Sequence, residues 1–270
     1  MVVSILGCGW YGKVLAKLLV KDGFTIKGSA TAHEKLEMLS QLGINPYSVK
    51  IKTNEESYDP EFFNCDVLII SIPPKTRQGE GGDYLPKIQR IINAILKYNI
   101  AKVIYISSTA VYGESNSEVN ELTAPEPDTE PGRILLAAEK LFRDQATFKT
   151  TIIRFAGLVG PGRHPGRFFA GKKAIPNGKA PVNLIHLDDC AGITIAIIKQ
   201  DAFGHLLNVV SPDHPQKSDF YYRATLQAGL IAPEFINELS NWKLINSTNL
   251  YETLKYKFKM PEWEGCNFDD

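Results

Sequence analysis

The sequence predicts an α/β protein built on a doubly wound parallel sheet, with a small C-terminal region added to it. Three observations carry this. A short apolar run, Val2–Leu6, ends in glycines and opens a helix. A second run at 66–71, DVLIIS, is stopped by Pro73-Pro74. Strand and helix patterns then alternate as far as 151–155, as βαβ units require, and right-handed crossovers put helices on both faces of the sheet.

The elements follow in order. Val14, Leu15, Leu18 and Leu19 recur on one helical face, and Asp22-Gly23 closes that helix, Gly23 being suited to a left-handed cap. Residues 24–28 are a second strand, 33–42 a second helix and 47–51 a weaker strand. After the strand 66–71, a glycine-rich loop at 79–82 leads into a helix with Tyr84, Leu85, Ile88, Ile91, Ile92 and Ile95 at helical spacing. Residues 102–107 (KVIYIS) are the next strand. The polar, proline-rich stretch 113–131 is expected to be a long surface loop. Ile134, Leu135, Ala138, Leu141 and Phe142 mark another helix, and 151–155 (TIIRF) another strand. Residues 157–181 read as loops over a site, with a helix containing Phe168 and Phe169. Residues 188–199 form a helix capped by Asp188 or Asp189. Residues 205–210 are one more sheet strand, and the chain beyond Ser211 reads as short helices and turns.

Composition narrows the function classes. The 270 residues are 44% hydrophobic and 22% charged, and 30 basic residues balance 30 acidic ones. Zero net charge removes most support for a general nucleic-acid role. Cys8, Cys65, Cys190 and Cys266 form no C-x-x-C pair, so no zinc site or disulfide framework is indicated. No apolar run reaches the roughly 18–20 residues needed to span a bilayer. The expectation is a cytoplasmic protein acting on a small molecule, with no membrane and no nucleic acid as partner; a homo-oligomer is left open.

The first turn is the chemically specific feature. Gly7-Cys8-Gly9-Trp10-Tyr11-Gly12 is G-x-G-x-x-G between a strand and a helix, the context that a dinucleotide-binding turn needs. Gly7 permits the tight turn, Gly9 lets a pyrophosphate approach, and Gly12 lets helix and strand pack closely. Trp10 and Tyr11 lead a helix whose amino end favours phosphate. The second strand ends in Gly28-Ser29-Ala30-Thr31 without a carboxylate, and Glu34 lies already on the helix. An acid there selects NAD, whereas Ser29, Thr31, His33 and Lys35 could hold a 2′-phosphate, so NADP is favoured over NAD. Ser71, Ile72, Pro73 and Ser107, at strand carboxyl ends, complete the candidate cofactor wall. The implied organisation is a Rossmann fold over 1–156, completed by 188–211. Residues 157–187 and 212–270 form the substrate-binding region.

SSTAVYG at 107–113, following a buried strand, resembles the extended short-chain dehydrogenase/reductase superfamily, in its NAD-dependent epimerase/dehydratase group. RFAGLVGPGR at 154–163, VNLIHLDD at 182–189 and LNVV at 207–210 agree with it in order and spacing. The resemblance implies a Ser108 hydroxyl that binds the reacting substrate oxygen. It also implies a Tyr-x-x-x-Lys acid/base pair on the following helix and a Glu four residues beyond that Lys. Glu139 fits the Glu, which puts Leu135 at the Lys position and Pro131 at the Tyr position; neither can move a proton. The departure, and the segment NSTNLYETLKYKFKMP at 246–261, resemble an atypical, YeeZ-like branch.

Three substitutes for the pair are candidates. Tyr112 lies near Ser108, though it also reads as a Tyr packed at the strand end. Arg133 starts the helix, as an electrophile and not a base. His186 has an accessible pKa, or is a hydrogen-bonded buried His. Arg163 and Arg167, with Lys172 and Lys173, either grip an anionic substrate or form a solvated loop. The expected activity is NAD(P)-dependent oxidoreduction or epimerisation of a small substrate. The alternative is a non-catalytic NAD(P)-binding sensor.

Overall fold

The computed structural model describes residues 1–268. β1 (Val2–Leu6) turns into α1 (Trp10–Lys21), which buries Leu15, Ala16 and Leu19. Gly23 has φ +85°, its N–H donates to the Val20 carbonyl, and the Phe24 N–H donates to that of Leu19. Two carbonyls left open by the helix end are thereby satisfied. β2 (Thr25–Ala30) and α2 (His33–Gln41) follow. The expected strand at 47–51 is two elements. β3 (Asn45–Ser48) joins the main sheet, and β4 (Lys50–Ile51) pairs antiparallel with β5 (Glu56–Ser57).

β6 (Val67–Ile70), α3 (Gly81–Lys97) and β7 (Lys102–Ser108) come next. The stretch 113–131 is not all loop. β8 (Ser117–Val119) lies within it and pairs parallel with β13 (Lys243–Ile245), from a region expected to hold only helices and turns. Three residues are too few for an alternating pattern to register. α4 (Glu130–Arg143) starts before Ile134, because Thr129 Oγ1 accepts the Gly132 N–H and Pro131 suits the first turn.

β9 (Lys149–Phe155) and β10 (Gly157–Val159) are followed by β11 (Leu184–His186), parallel to β10. Phe168 and Phe169 lie beyond a single 3-10 turn, Pro165–Arg167, and not on a helix. Phe169 instead packs edge-on to Tyr221. α5 (Leu187–Lys199) is capped by His186, whose Nδ1 accepts the Asp188 N–H, and not by either aspartate. Asp189 is buried and accepts from the Tyr256 hydroxyl and the Lys259 and Met260 amides. β12 (Leu206–Val209), α6 (Lys217–Gln227) and α7 (Thr248–Thr253) complete the chain.

The main sheet is parallel, in the order β12-β9-β7-β6-β1-β2-β3. Strand order reverses between β1 and β6, the switch point where such sheets open a crevice at their carboxyl ends. The main core covers both faces of this sheet. A second cluster, around Phe220, Tyr221, Trp263 and Phe268, sits under the C-terminal segments. No helix among the described residues is long and apolar enough to cross a membrane.

Candidate functional site

The crevice between β1 and β6 is closed at its base by backbone contact. Gly7 has φ +100°, and a Cβ there would stand 2.7 Å from the Ser71 carbonyl oxygen. A Cβ on Gly12 would stand 2.6 Å from the Gly7 oxygen, so α1 packs directly on the turn. A Cβ on Gly9 would meet nothing within 4 Å. Of the three glycines, only Gly9 therefore faces open space. Ser29 fixes the turn from β2: its Oγ accepts the Gly7 N–H at 2.9 Å, and its carbonyl accepts the Cys8 N–H. The first amides of α1, those of Trp10, Tyr11 and Gly12, have no acceptor within the helix and carry its positive end.

A cavity of 260 Å³ adjoins this turn. Gly7, Gly9, Ser29, Thr31 and Lys35 line one side, and Ile72, Pro73, Tyr84 and Ile91 the other. Lys75 and Lys87 also line it, flanking a single carboxylate, Glu80, at 3.5 and 3.2 Å. Hydrogen bonding from Lys87 holds the Glu80 carboxyl below its usual range. With Lys35 included, cations outnumber the acid. Burial pushes the Cys8 thiol up to about 12, making it a neutral wall and not a nucleophile. An open glycine, free helix amides, an apolar slot and surplus positive charge suit an adenine dinucleotide.

Neither Lys75 nor Lys87 was expected here. Lys87 had a signal: Tyr84, Lys87 and Ile91 follow at helical spacing, so one stripe of α3 faces the cavity. Lys75 sits in an irregular loop with φ +50°, for which the sequence has no periodic sign.

Several expected residues are committed elsewhere. His33 is exposed and turns to Glu37 at 3.3 Å, away from the cavity lining. Tyr11 is core: its hydroxyl meets Thr194 Oγ1 at 2.7 Å and its ring stands edge-on to Phe155. Only its backbone serves the turn. The Ser107 hydroxyl donates to Glu139 at 2.6 Å, inside the protein. Arg133 is exposed and donates to the carbonyls of Pro127 and Asp128, so it ties down its own loop.

Tyr112 is the fullest correction. It is 2% exposed, and its hydroxyl donates to the Asn120 carbonyl at 2.9 Å and accepts from Arg154 at 2.6 Å. Burial raises its pKa despite that arginine. Arg154 in turn grips both oxygens of the buried Glu139, at 3.0 and 2.6 Å. The phenol belongs to a largely buried polar network in which its proton and its lone pair are already engaged. Burial keeps His186 below its ordinary pKa, consistent with a neutral ring acting as a cap.

Ser108 remains at the carboxyl end of β7, half-buried. Its Oγ accepts the Ala110 N–H at 3.2 Å, which leaves the hydroxyl proton free. α4 has no tyrosine, and its only lysine, Lys140, is exposed and paired with Asp144. The basic loop divides. Arg163 stacks on Trp10, Arg167 is exposed, Lys172 lies over Phe169, and Lys173 pairs with Glu234.

Comparison with known proteins agrees with this architecture. The model of the NAD dependent epimerase/dehydratase family matches residues 87–209. Protein YeeZ of Escherichia coli strain K12 is 35% identical over 267 residues, 96% of each chain. A protein of Bacillus subtilis strain 168, described as the uncharacterized UDP-glucose epimerase YtcB, is 22% identical over 74% of this chain and 73% of its own. Among solved structures, UDP-glucuronic acid 4-epimerase from Bacillus cereus in complex with NAD superposes with a TM-score of 0.79. It is 19% identical and covers 96% of this chain and 94% of its own. A functionally unknown conserved protein from Silicibacter pomeroyi also reaches 0.79, at 24% identity, over 97% and 95% of the two chains. With a parallel seven-stranded sheet, a glycine turn at its switch point and a full-length relative at 35% identity, the chain belongs to the NAD-dependent epimerase/dehydratase family.

Proposed function

We propose that the protein is an NAD(P)-dependent oxidoreductase or epimerase-like enzyme acting on a small substrate, and that it prefers NADP to NAD. The observation that carries this is the junction of the open Gly9 turn with a cavity bearing Lys35, Lys75 and Lys87 against one acid. The first amides of α1 would hold the pyrophosphate. Thr31 and Lys35, beyond the end of β2, would meet the 2′-phosphate, and the strand end itself, 28–31, carries no carboxylate.

When bound, the nicotinamide supplies or accepts a hydride. The protein's own part at the reacting centre falls to Ser108. Its Oγ is oriented by the Ala110 amide, and its free proton is available to a substrate carbonyl or hydroxyl oxygen. α4 carries no phenol, so the proton does not come from the tyrosine that the family places there. A positioned acid is typically worth about 10²–10⁴ in rate, and turnover is expected to be slower by that order than with a Tyr-x-x-x-Lys pair.

A second reading, a redox-responsive NAD(P) binder without turnover, is favoured by the engagement of the Tyr112 hydroxyl with Arg154 and the lack of a tyrosine on α4. Titration with NADPH and NADH tests the shared part, and micromolar binding with NADPH tighter is expected. A substrate-dependent change in absorbance at 340 nm that disappears in Ser108→Ala supports the enzyme. Absence of any such change over a panel of small carbonyls and alcohols, with cofactor still bound, supports the binder. Four unpaired cysteines suit the reducing cytoplasm, where we place the protein.

A further inference from the structure

Trp10, the first residue of α1, reaches a distant part of the chain. Its indole N–H donates to the Pro161 carbonyl at 2.7 Å. Arg163 lays its guanidinium over the same ring, 5.0 Å from the centre. The turn bearing Arg163 is itself fixed. Gly160 has φ +138°, Gly162 has φ +75°, and the Arg163 N–H donates to the Gly160 carbonyl at 2.8 Å.

Under this turn lies His186, 1% exposed. Its Nδ1 accepts a backbone N–H, so the neutral ring carries its proton on Nε2. Nε2 has no partner, and a Cβ on Gly160 would stand 3.2 Å from it. A buried donor is thus left over beneath the turn that holds a cation above it.

Arg163 is exposed, and no carboxylate among the described residues forms an ion pair with it, in contrast to Lys75, Lys87 and Lys173. Stacking fixes the plane of a guanidinium and leaves its N–H edge available for bidentate pairing with phosphate. The stack stands on the residue that leads α1, beside the helix amides that attract anions.

We propose that Arg163 is the second half of a pyrophosphate clamp, closing from its seat on Trp10 over phosphates held by the amino end of α1. The inference rests on the dinucleotide reading above and deepens it. A merely mechanical stack, pinning the 160–163 turn to α1, is the competing account.

Calorimetric titration of wild type, Arg163→Ala and Arg163→Lys with NADPH, NADH, ADP and adenosine separates them. The clamp predicts that Arg163→Ala weakens NADPH, NADH and ADP by about ten- to a hundredfold, the range for a charge-assisted contact. It predicts adenosine within about twofold, a weaker dependence on salt, and partial recovery in Arg163→Lys. Equal ADP affinity in wild type and Arg163→Ala overturns the clamp and leaves the dinucleotide site standing. Equal losses for ADP and adenosine overturn it in favour of the mechanical pin. A wild type that binds no phosphate-bearing ligand overturns both readings. Should Arg163→Ala not fold, Arg163→Gln carries the same comparison.

Discussion

The Arg154 guanidinium donates to the Tyr112 hydroxyl at 2.6 Å while holding both oxygens of Glu139. This contact decides what Tyr112 does. A phenol that accepts from a buried cation and donates to a backbone carbonyl has its proton already assigned. Tyr112→Phe is therefore expected to leave cofactor binding intact and to lower stability by about 1–3 kcal/mol, because an arginine N–H and the Asn120 carbonyl lose a partner. Urea unfolding alongside cofactor titration measures both. A large loss of turnover at unchanged stability would return Tyr112 to the reaction.

The Glu139–Arg154 pair is almost wholly inside the protein, at 0% and 1% side-chain exposure. Removing one partner strands a charge. Glu139→Leu is expected to cost about 3–5 kcal/mol, and the double variant Glu139→Leu/Arg154→Met clearly less than either single change suggests. A denaturation cycle over the four proteins checks this; additive losses would contradict the pairing.

The same network shows what could be read from sequence and what could not. β1, α1, β6 and β9 were legible because their apolar residues are buried in one continuous core, which imposes a period on the chain. The glycine turn was legible because a Cβ at Gly7 or Gly12 would stand under 3 Å from a backbone oxygen, a demand that only glycine meets. The pairing of β8 with β13 was not, since two three-residue strands over 120 positions apart share no local signal. Nor were the fates of Ser107, Tyr112 and His33. Each is polar and stands near a strand end; Ser107 and Tyr112 are claimed by partners far off in sequence, Glu139 and Arg154, and His33 by solvent and its helical neighbour Glu37.

The glycines make opposite predictions. Gly9 has φ −76° and open space at its Cβ position, so Gly9→Ala should fold with stability within about 0.5 kcal/mol of wild type. Its methyl would project into the space for phosphate, and affinity for NADPH should fall at least about tenfold. Gly12→Ala pushes a methyl onto the Gly7 oxygen, and should lose about 1–3 kcal/mol of stability together with binding. Thermal unfolding and calorimetry on both variants test the contrast, and normal binding by Gly9→Ala would place the ligand elsewhere.

Choice of cofactor is expected to respond to Lys35. Lys35 is exposed, lines the cavity with Thr31, and its side chain has no hydrogen-bond or ion-pair partner among the described residues to lose on substitution. Lys35→Glu should weaken NADPH by about tenfold or more, through a lost charge-assisted contact and an added repulsion. NADH, without the 2′-phosphate, should change little. Parallel titrations give the ratio directly, and an equal effect on both cofactors would remove Lys35 from the 2′-phosphate site.

His186 sets a dependence of stability on pH. Burial lowers its pKa in the folded protein, outweighing the attraction of Asp188 and Asp189, while the unfolded chain titrates near the ordinary 6.5. Below that value the unfolded state binds the proton and the folded state resists it, so stability present above pH 6.5 is lost as pH falls toward the folded pKa. His214 is lowered by burial as well and adds in the same direction. His186→Asn keeps a side-chain oxygen able to accept the Asp188 N–H, and so preserves the cap while removing the titration. Urea midpoints at pH 7.5 and 5.5 should fall further in wild type than in His186→Asn. Equal falls would mean that His186 charges freely in the folded protein, and that Nε2 finds an acceptor there.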